Sequence, residues 1–254
     1  MTLTACAQLV ERGDPDRFLA TMAAPVSARN VLFPLYAFNL EVARAPWVTE
    51  ETMIAEMRLQ WWRDALEEIA RGGPVRKHEV TTPLAAILPH ATAEKLDTLV
   101  AARRWDIYKD PFEDQADFDR YIDETSGNLL WAAATTLGQA DETTLRDLGY
   151  AQGVANWLRA IPDLEARQRI PLLDGTAKGI AALADAALTR LRSAQANRHK
   201  ISPAARPALL AAWEAKAILT QAARSPQRVA EGTLGQSPAR KRLSLMAQAA
   251  TGRW

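Results

Sequence analysis

LGYAQGVANWLRAIPDLEARQRIPLL, residues 148–173, is the stretch of sequence that decides the fold. Its polar residues Asn156, Arg159 and Asp163 recur at intervals of three and four, so they share one helix face if the helix continues through Pro162. Outward from this stretch, helix-forming residues dominate, alanine above all, and no sustained alternation of apolar and polar residues indicates a strand. The fold class is therefore predicted to be all-α.

The length and charge of the chain limit the domain count and the kinds of partner. The 254 residues are enough for one large core, and no low-complexity linker or internal repeat divides them. We therefore predict a single domain over residues 1–254, with about eight to ten helices. The net charge is +1, so no overall field favours nucleic acid. Cys6 is the only cysteine, which excludes disulfide frameworks and multi-cysteine zinc sites.

The segment from Thr52 to Arg71 shows the helical period most clearly and is followed by a Gly-Gly-Pro stop. An apolar stripe at helical spacing either packs into the core or lines an apolar tunnel, and the sequence leaves both readings open. The predicted stripe consists of Met53, Met57, Trp61, Ala65, Leu66 and Ile69.

The opening stretch resembles the second signature of the squalene/phytoene synthases, which runs roughly LGxAxQLxNxLRDxxxD and then xGRxYLP. The matching positions are Leu148, Gly149, Ala151, Asn156, Leu158, Arg159, Arg167 and Pro171. Upstream matches to the same family are Phe18, Ala24-Pro25, Arg29, residues 35–38, Arg58, Trp61-Trp62, Leu66, Gly72, residues 82–84, Asp106, Tyr121 and Gly127. The resemblance covers roughly residues 16–173. It implies an isoprenoid synthase-like helical bundle.

The same resemblance implies that the family's metal ligands are missing. The synthases hold a diphosphate through magnesium, which prefers carboxylate oxygens, with a pair of aspartates on each of two facing helices. In this chain Ala43 and Trp47 stand at the first pair of positions, and Ala160 and Leu164 stand at the second pair. Gly153 also replaces the family's glutamine. We therefore expect no metal, no cofactor and no catalytic residue at these positions.

Polar and aromatic residues remain around the lost ligands and form the candidate pocket or anion-binding set. Two guanidiniums can hold a phosphate or carboxylate through paired hydrogen bonds, or they can pair with neighbouring acids and fix the fold. The candidates are Tyr36, Asn39, Arg58, Trp61, Tyr121, Asn156, Arg159, Asp163 and Arg167.

A rearranged magnesium site would have to use other acids, and Asp163, Glu165 and Asp119 are the only plausible ligands. Asp119 belongs to an acidic segment that is typical of a solvated helix start, where carboxylates favour the positive end of the helix dipole. Asp163 and Glu165 are predicted to lie with Asp174 in a proline-containing loop.

One branch of the superfamily resembles the chain more closely than the synthases do. It is the branch of a mitochondrial complex I assembly factor with a squalene/phytoene synthase-like fold. The matching residues are Asn39, Glu41, Met57-Arg58, Gln60 and Trp62, together with the alanine after Arg159 and the proline that follows. This resemblance implies a bacterial homologue whose partner is a respiratory complex I subunit or another assembly partner.

Three functions remain open at this point. The first is a non-catalytic protein that acts in assembly of the membrane respiratory NADH dehydrogenase, with a prenyl or lipid ligand in the old cavity. The second is an active prenyltransferase that condenses prenyl diphosphates at a rearranged metal site, and only this one requires magnesium. The third is a lipid- or quinone-binding carrier.

The location follows from the ends of the chain. The N-terminal segment lacks a basic region followed by an apolar core, so we expect no signal peptide and a cytoplasmic protein. The segment SPARKRLSLMAQAATGRW, residues 237–254, predicts a basic helix that either packs on the bundle or touches an anionic membrane. Peripheral contact with the inner face of the cell membrane is therefore included in the expectation.

Overall fold

The computed structural model describes residues 3–254 and contains helices and no named strand over that range. The helices are α1 (Leu3–Gly13), α2 (Pro15–Ala23), α3 (Val26–Arg44), α4 (Thr52–Ala70), α5 (Thr81–Ala85), α6 (His90–Ala102), α7 (Gln115–Ile122), α8 (Asn128–Leu137), α9 (Glu142–Ala166), α10 (Ala177–Ala196), α11 (Arg206–Leu209), α12 (Ala215–Arg224), α13 (Gln227–Ala230) and α14 (Pro238–Thr251). The predicted all-α class is confirmed. The single domain stays a prediction, and its first two residues lie outside the described range.

Helix α9 lies at the centre of the bundle, with apolar side chains of other helices packed around it. It packs against α8, α10 and α12, and buried residues from Cys6 to Trp254 join its side chains in one continuous core. Asp141 caps its first turn by accepting a hydrogen bond from the Thr144 amide at 2.9 Å. The helix continues through Pro162 and ends at Ala166.

This end point corrects one expectation from the sequence. Asp163 and Glu165 are helical and do not lie in a loop; of the predicted loop acids only Asp174 lies outside the helices. Pro162 has no amide hydrogen, so α9 continues through it with one helical hydrogen bond fewer. Asn156, Arg159 and Asp163 therefore do share a continuous helix.

Helix α4 has the predicted bounds, but two of the six residues of its predicted stripe lie outside the core. Met53 and Met57 are 72% and 65% exposed. The buried side is displaced toward Leu59 and Trp62, and it includes the correctly predicted Ala65, Leu66 and Ile69. Both series are apolar at helical spacing, so periodicity alone did not distinguish the side that packs on α6 from the side that faces solvent.

A π-helical turn, Asp123–Gly127, separates α7 from α8. The turn packs tightly against α9 through glycines. A Cβ atom on Gly149 would lie 2.8 Å from Gly127 Cα, and one on Gly153 would lie 2.6 Å from the Ile122 side chain. Glycine at these positions therefore allows two backbones to approach more closely than any side chain would permit.

The C-terminal third contains several short helices after α10. Residues 206–224 are divided into α11, a short 3₁₀ turn and α12, whereas α14 agrees closely with the basic helix predicted within residues 237–254. Within residues 3–254 no helix combines the length and the apolar character that crossing a membrane requires.

Candidate functional site

A cavity of about 330 Å³ opens between α3, α9 and the segment that runs from residue 103 to residue 129. The four positions at which the resemblance expected metal ligands, Ala43, Trp47, Ala160 and Leu164, all line it. Ala160 and Leu164 lie one turn apart on the same face of α9, whereas Ala43 lies in the last turn of α3 and Trp47 in the 3₁₀ turn Ala45–Trp47 that follows it. The geometry of a two-sided clamp is therefore present, and its four side chains carry no carboxylate.

The positive charge beside Trp47 makes the contrast with a metal clamp sharper. The guanidinium carbon of Arg167 lies 4.8 Å from the centre of the Trp47 ring, and that of Arg169 lies 5.2 Å from it. Both distances allow cation–π attraction. Where the family places an anion, this chain places an indole between two cations.

The remaining acids do not supply a magnesium site. Asp163 has no side-chain partner, whereas Asp119 accepts hydrogen bonds from Tyr150 Oη at 2.6 Å and Gln115 Nε2 at 2.8 Å. Over residues 3–254 no three His, Cys, Asp or Glu side chains are grouped closely enough to hold a metal ion. Asp163, Glu165 and Asp119 are not brought together, so the residues present do not fit magnesium.

One wall of the cavity is a buried polar triad. Tyr121 Oη donates to Asp106 Oδ1 at 2.9 Å, and Arg103 Nη1 donates to Asp106 Oδ2 at 3.1 Å and to Tyr121 Oη at 2.9 Å. Arg169 donates to the Asp106 carbonyl. Burial raises the pKa of Asp106 against the opposing charge of Arg103, and burial also raises the pKa of Tyr121.

Aromatic rings support this wall from behind. The Trp105 and Phe112 rings stack with centroids 4.3 Å apart, and Trp157 packs edge-on against Tyr121 at 5.3 Å. Trp157 Nε1 donates to the carbonyl of Pro171 at 2.9 Å, which ties the segment after α9 to the cluster. The triad is thus held in a dry and rigid setting.

A second space of about 540 Å³ continues from the first toward the C-terminal part of the bundle. The residues that line both are Arg17, Asn39, Ala43, Arg103, Asn156 and Ala160. Asn39 is only 7% exposed, yet its amide makes no hydrogen bond. Arg17 Nε and Arg103 Nε are also buried without a partner. Unsatisfied donors of this kind are costly unless another group meets them.

Four charges close the far end of this second space. Arg159 Nη1 lies 3.1 Å from Asp16 Oδ2 and 3.3 Å from Glu214 Oε2, and Lys241 Nζ lies 2.8 Å and 3.0 Å from carboxylate oxygens of the same two residues. Burial raises the pKa of Glu214 to about 7. The pKa of Asp16 is lowered, because hydrogen bonds from these partners outweigh its burial.

The structure distributes the sequence-derived candidates over several places. Five line the first cavity, namely Asn39, Tyr121, Asn156, Asp163 and Arg167. Arg159 lines the second space and forms ion pairs with Asp16 and Glu214. Arg58 and Trp61 line a separate pocket of about 390 Å³ together with His78. Tyr36 is buried, with the guanidinium of Arg17 5.0 Å from its ring centre.

Sequence reasoning missed Arg17, Arg103, Arg169 and Glu214. Three of the four lie near matched positions, whereas Glu214 lies beyond the matched part of the chain. Charged residues are rarely buried without partners, so pairing each of them with opposite charges on other predicted helices could have identified them. Spacing along one helix could not, because the partners of Glu214 come from α2, α9 and α14.

Sequence comparison identifies a matching protein family and named relatives. Residues 10–172 match the family model described as squalene/phytoene synthase. The chain is 30% identical over 177 residues to the Drosophila melanogaster NADH dehydrogenase (ubiquinone) complex I, assembly factor 6 homolog, an alignment that covers 66% of this chain and 53% of that protein. The human assembly factor 6 is 25% identical over 169 residues, which cover 65% and 51% respectively. The chain thus spans about half the length of these curated relatives.

Structural comparison agrees on the fold. A dehydrosqualene synthase crystallised with a ligand superposes with a TM-score of 0.79 at 17% identity, covering 98% of this chain and 95% of that chain. Squalene synthase HpnC from Alicyclobacillus acidocaldarius gives 0.73 at 18% identity, with 89% and 94% covered. The predicted isoprenoid synthase-like fold is confirmed. Because the family model matches well over half of its residues, the chain belongs to the squalene/phytoene synthase family.

Proposed function

We propose that this protein is a non-catalytic member of the family that acts in assembly of the membrane respiratory NADH dehydrogenase, complex I. The observation that carries the proposal is the convergence of Ala43, Trp47, Ala160 and Leu164 on one cavity. The naming of the fly and human relatives as complex I assembly factors supports the second half. The partner is a complex I subunit or another assembly protein, and the site of action is the inner face of the cell membrane.

The chemical argument concerns charge balance. A prenyl diphosphate presents several negative charges, and magnesium held by carboxylates neutralises them while the diphosphate leaves. In this cavity the nearest unpaired acid is Asp163, while Arg167 and Arg169 cover Trp47. Such a site attracts an anion directly and repels the metal ion that the reaction needs.

The first experiment is deletion of the gene followed by complementation. We expect membranes of the deletion strain to lose NADH dehydrogenase activity while carotenoid and hopanoid levels stay unchanged. The wild-type gene and an Asp163→Asn/Glu165→Gln variant should both restore activity, because both carboxylates are exposed and neither makes a hydrogen bond or ion pair within the protein. Normal NADH dehydrogenase activity in the deletion strain would sink the proposal.

The variant separates this proposal from the prenyltransferase alternative. If the double variant failed to complement although its folding was normal, a rearranged metal site would be supported. Magnesium-dependent release of diphosphate from farnesyl or geranylgeranyl diphosphate by the purified protein, at a synthase-like rate, would support the same alternative. Neither result is compatible with an assembly protein that has lost the chemistry.

A second candidate function, a carrier for a lipid or quinone, is favoured by one observation. The Nε atoms of Arg17 and Arg103 are buried beside an open space without partners, and the partly accessible amide of Asn39, which lines the same space, makes no hydrogen bond to the protein. An oxygen-bearing headgroup would satisfy them, and the apolar part would lie along Ile122 and Trp157.

Thermal unfolding with dodecyl phosphate in EDTA tests this candidate. We expect stabilisation of the wild type without magnesium, loss of that stabilisation in Asn39→Leu, and its retention in Asn30→Leu, an exposed control on the same helix, α3. Equal stabilisation of all three proteins would show detergent-like binding and would exclude the carrier.

A further inference from the structure

Helix α14 is docked on the bundle through one face. Lys241 Nζ lies 2.8 Å from Asp16 Oδ1, Leu245 is buried, and Gln248 Nε2 donates to the Trp213 carbonyl at 2.9 Å. At about 100° per residue, Lys241, Leu245 and Gln248 lie within about 60° of one another around the helix axis. These contacts fix which face of α14 points away from the protein.

The outward face is apolar. Leu243 and Met246 are 68% and 67% exposed, and they lie on the side of the helix opposite Gln248 and Lys241. Exposed alanines extend the same face along the helix, namely Ala239, Ala247 and Ala250. Below, this set of five residues is called the outward face of α14.

Cations border the outward face and no acid does. Arg240 lies along one edge and Arg242 along the other, both exposed. Within the described part of the chain neither side chain, nor that of Arg253, has an ion pair or hydrogen bond. From residue 232 to residue 254 the sequence contains no Asp or Glu. The positive charge at this end of the molecule is therefore not neutralised locally.

This combination identifies the kind of surface that α14 fits. Interfacial helices place an apolar stripe at the depth of the acyl chains and basic side chains at the headgroups. Protein interfaces instead centre on aromatic anchors that enter pockets, and the outward face has no aromatic residue. We propose that the outward face of α14 lies on an anionic phospholipid membrane, with Leu243 and Met246 inserted and Arg240 and Arg242 at the phosphates.

The test is co-sedimentation of the full chain with vesicles of phosphatidylcholine alone or with added phosphatidylglycerol. We expect binding to the anionic vesicles, weak binding to the neutral ones, and a loss of binding as salt rises. Arg240→Gln/Arg242→Gln should lower the partition coefficient about 30-fold, since each arginine near such a surface contributes roughly a fivefold factor. Leu243→Glu/Met246→Glu should abolish sedimentation.

The chain offers a closely matched control in Met53→Glu/Met57→Glu. These two methionines are as exposed as Leu243 and Met246 but lie on α4, away from the cationic edges. The control should bind as the wild type does, and all variants should keep the wild-type unfolding temperature within a few degrees.

Three outcomes would overturn the proposal. The first is equal binding to neutral and anionic vesicles, and the second is equal loss of binding in the control. The third is no vesicle binding together with a dimer that Leu243→Glu/Met246→Glu converts to monomer, which would assign the face to a second copy of the chain. The measurement uses purified protein and vesicles, so it does not depend on the role in complex I assembly.

Discussion

Two walls of the same cavity differ in the residues that they carry at positions matched to the synthases. On the wall formed by α3 and α9, four positions that carry carboxylates in the synthases carry Ala43, Trp47, Ala160 and Leu164. On the opposite wall, Asp106 and Tyr121 retain the family residues and form the buried triad with Arg103. A carboxylate that faces an open cavity serves only to bind the metal, whereas a buried and paired carboxylate also stabilises the fold.

The largest effect should come from Asp106→Ala. The substitution leaves Arg103 and Tyr121 without their acceptor in a buried setting, so we expect the free energy of unfolding to fall by about 3–5 kcal/mol. Urea unfolding followed by circular dichroism measures it. Asp163→Asn, on the cavity side and without partners, should change stability by less than about 0.5 kcal/mol. Similar losses for both variants would remove the distinction between the walls.

The close contact between α9 and the π-helical turn gives the next effect. Gly149→Ala places a methyl group 2.8 Å from Gly127 Cα, so the two backbones must separate. We expect a loss of about 1–3 kcal/mol from this overpacking. Thermal unfolding measures it, and Gly73→Ala, where a Cβ meets nothing within 4 Å, is the control. An unchanged unfolding temperature for Gly149→Ala would mean that the turn adjusts freely.

Glu214 is a buried carboxylate that shares its cationic partners with Asp16. Its pKa is raised from 4.5 to about 7, so the folded protein binds a proton more tightly than the unfolded chain in this window. The free energy of unfolding should therefore fall as pH rises from about 5 to 8, by about 1–2 kcal/mol relative to Glu214→Gln.

The other charged groups of this network do not obscure the measurement. The pKa of Asp16 is lowered from 3.8, so its contribution is lost only in more acidic solution, and the pKa of Lys241 is raised from 10.5, above the window. Chemical unfolding at pH 5, 6, 7 and 8 gives the profile. Parallel profiles for the wild type and Glu214→Gln would contradict the assignment.

The smallest effect is expected on the cavity wall itself. Arg167→Ala removes an exposed cation–π contact with Trp47, so stability should fall by about 0.5–1 kcal/mol. The same variant should weaken binding of dodecyl phosphate if the cavity holds anions. A loss above 2 kcal/mol would show that the replaced wall has acquired a structural role equal to that of the triad.

The fold was predictable from sequence because its signals are local. Helical period and the Gly-Gly-Pro stop gave the bounds of α4, and the matched motifs placed Tyr121, Asn156 and Arg167 around one cavity. The loss of the clamp was equally visible, since it depends on residue identity at aligned positions. These features require knowledge of one segment at a time.

What sequence reasoning missed depends on pairs of segments. Met53 and Met57 were assigned to the core because their period is helical, but only packing decides which of two apolar faces is covered. Arg103 depends on Tyr121, 18 positions away, as well as on nearby Asp106, and Glu214 depends on Arg159, 55 positions away. The continuation of α9 through Pro162 depends on the tertiary support of its last turn.

The contact between Asp16 and Lys241 also carries a consequence for the order of folding. The two residues are separated by 225 positions, so the contact forms only after α14 has been synthesised. Until then Asp16 and Glu214 have a single cationic partner, Arg159. The docking of α14 is therefore expected as a late step in folding, after the bundle around α9 has assembled, and stopped-flow refolding can test that order.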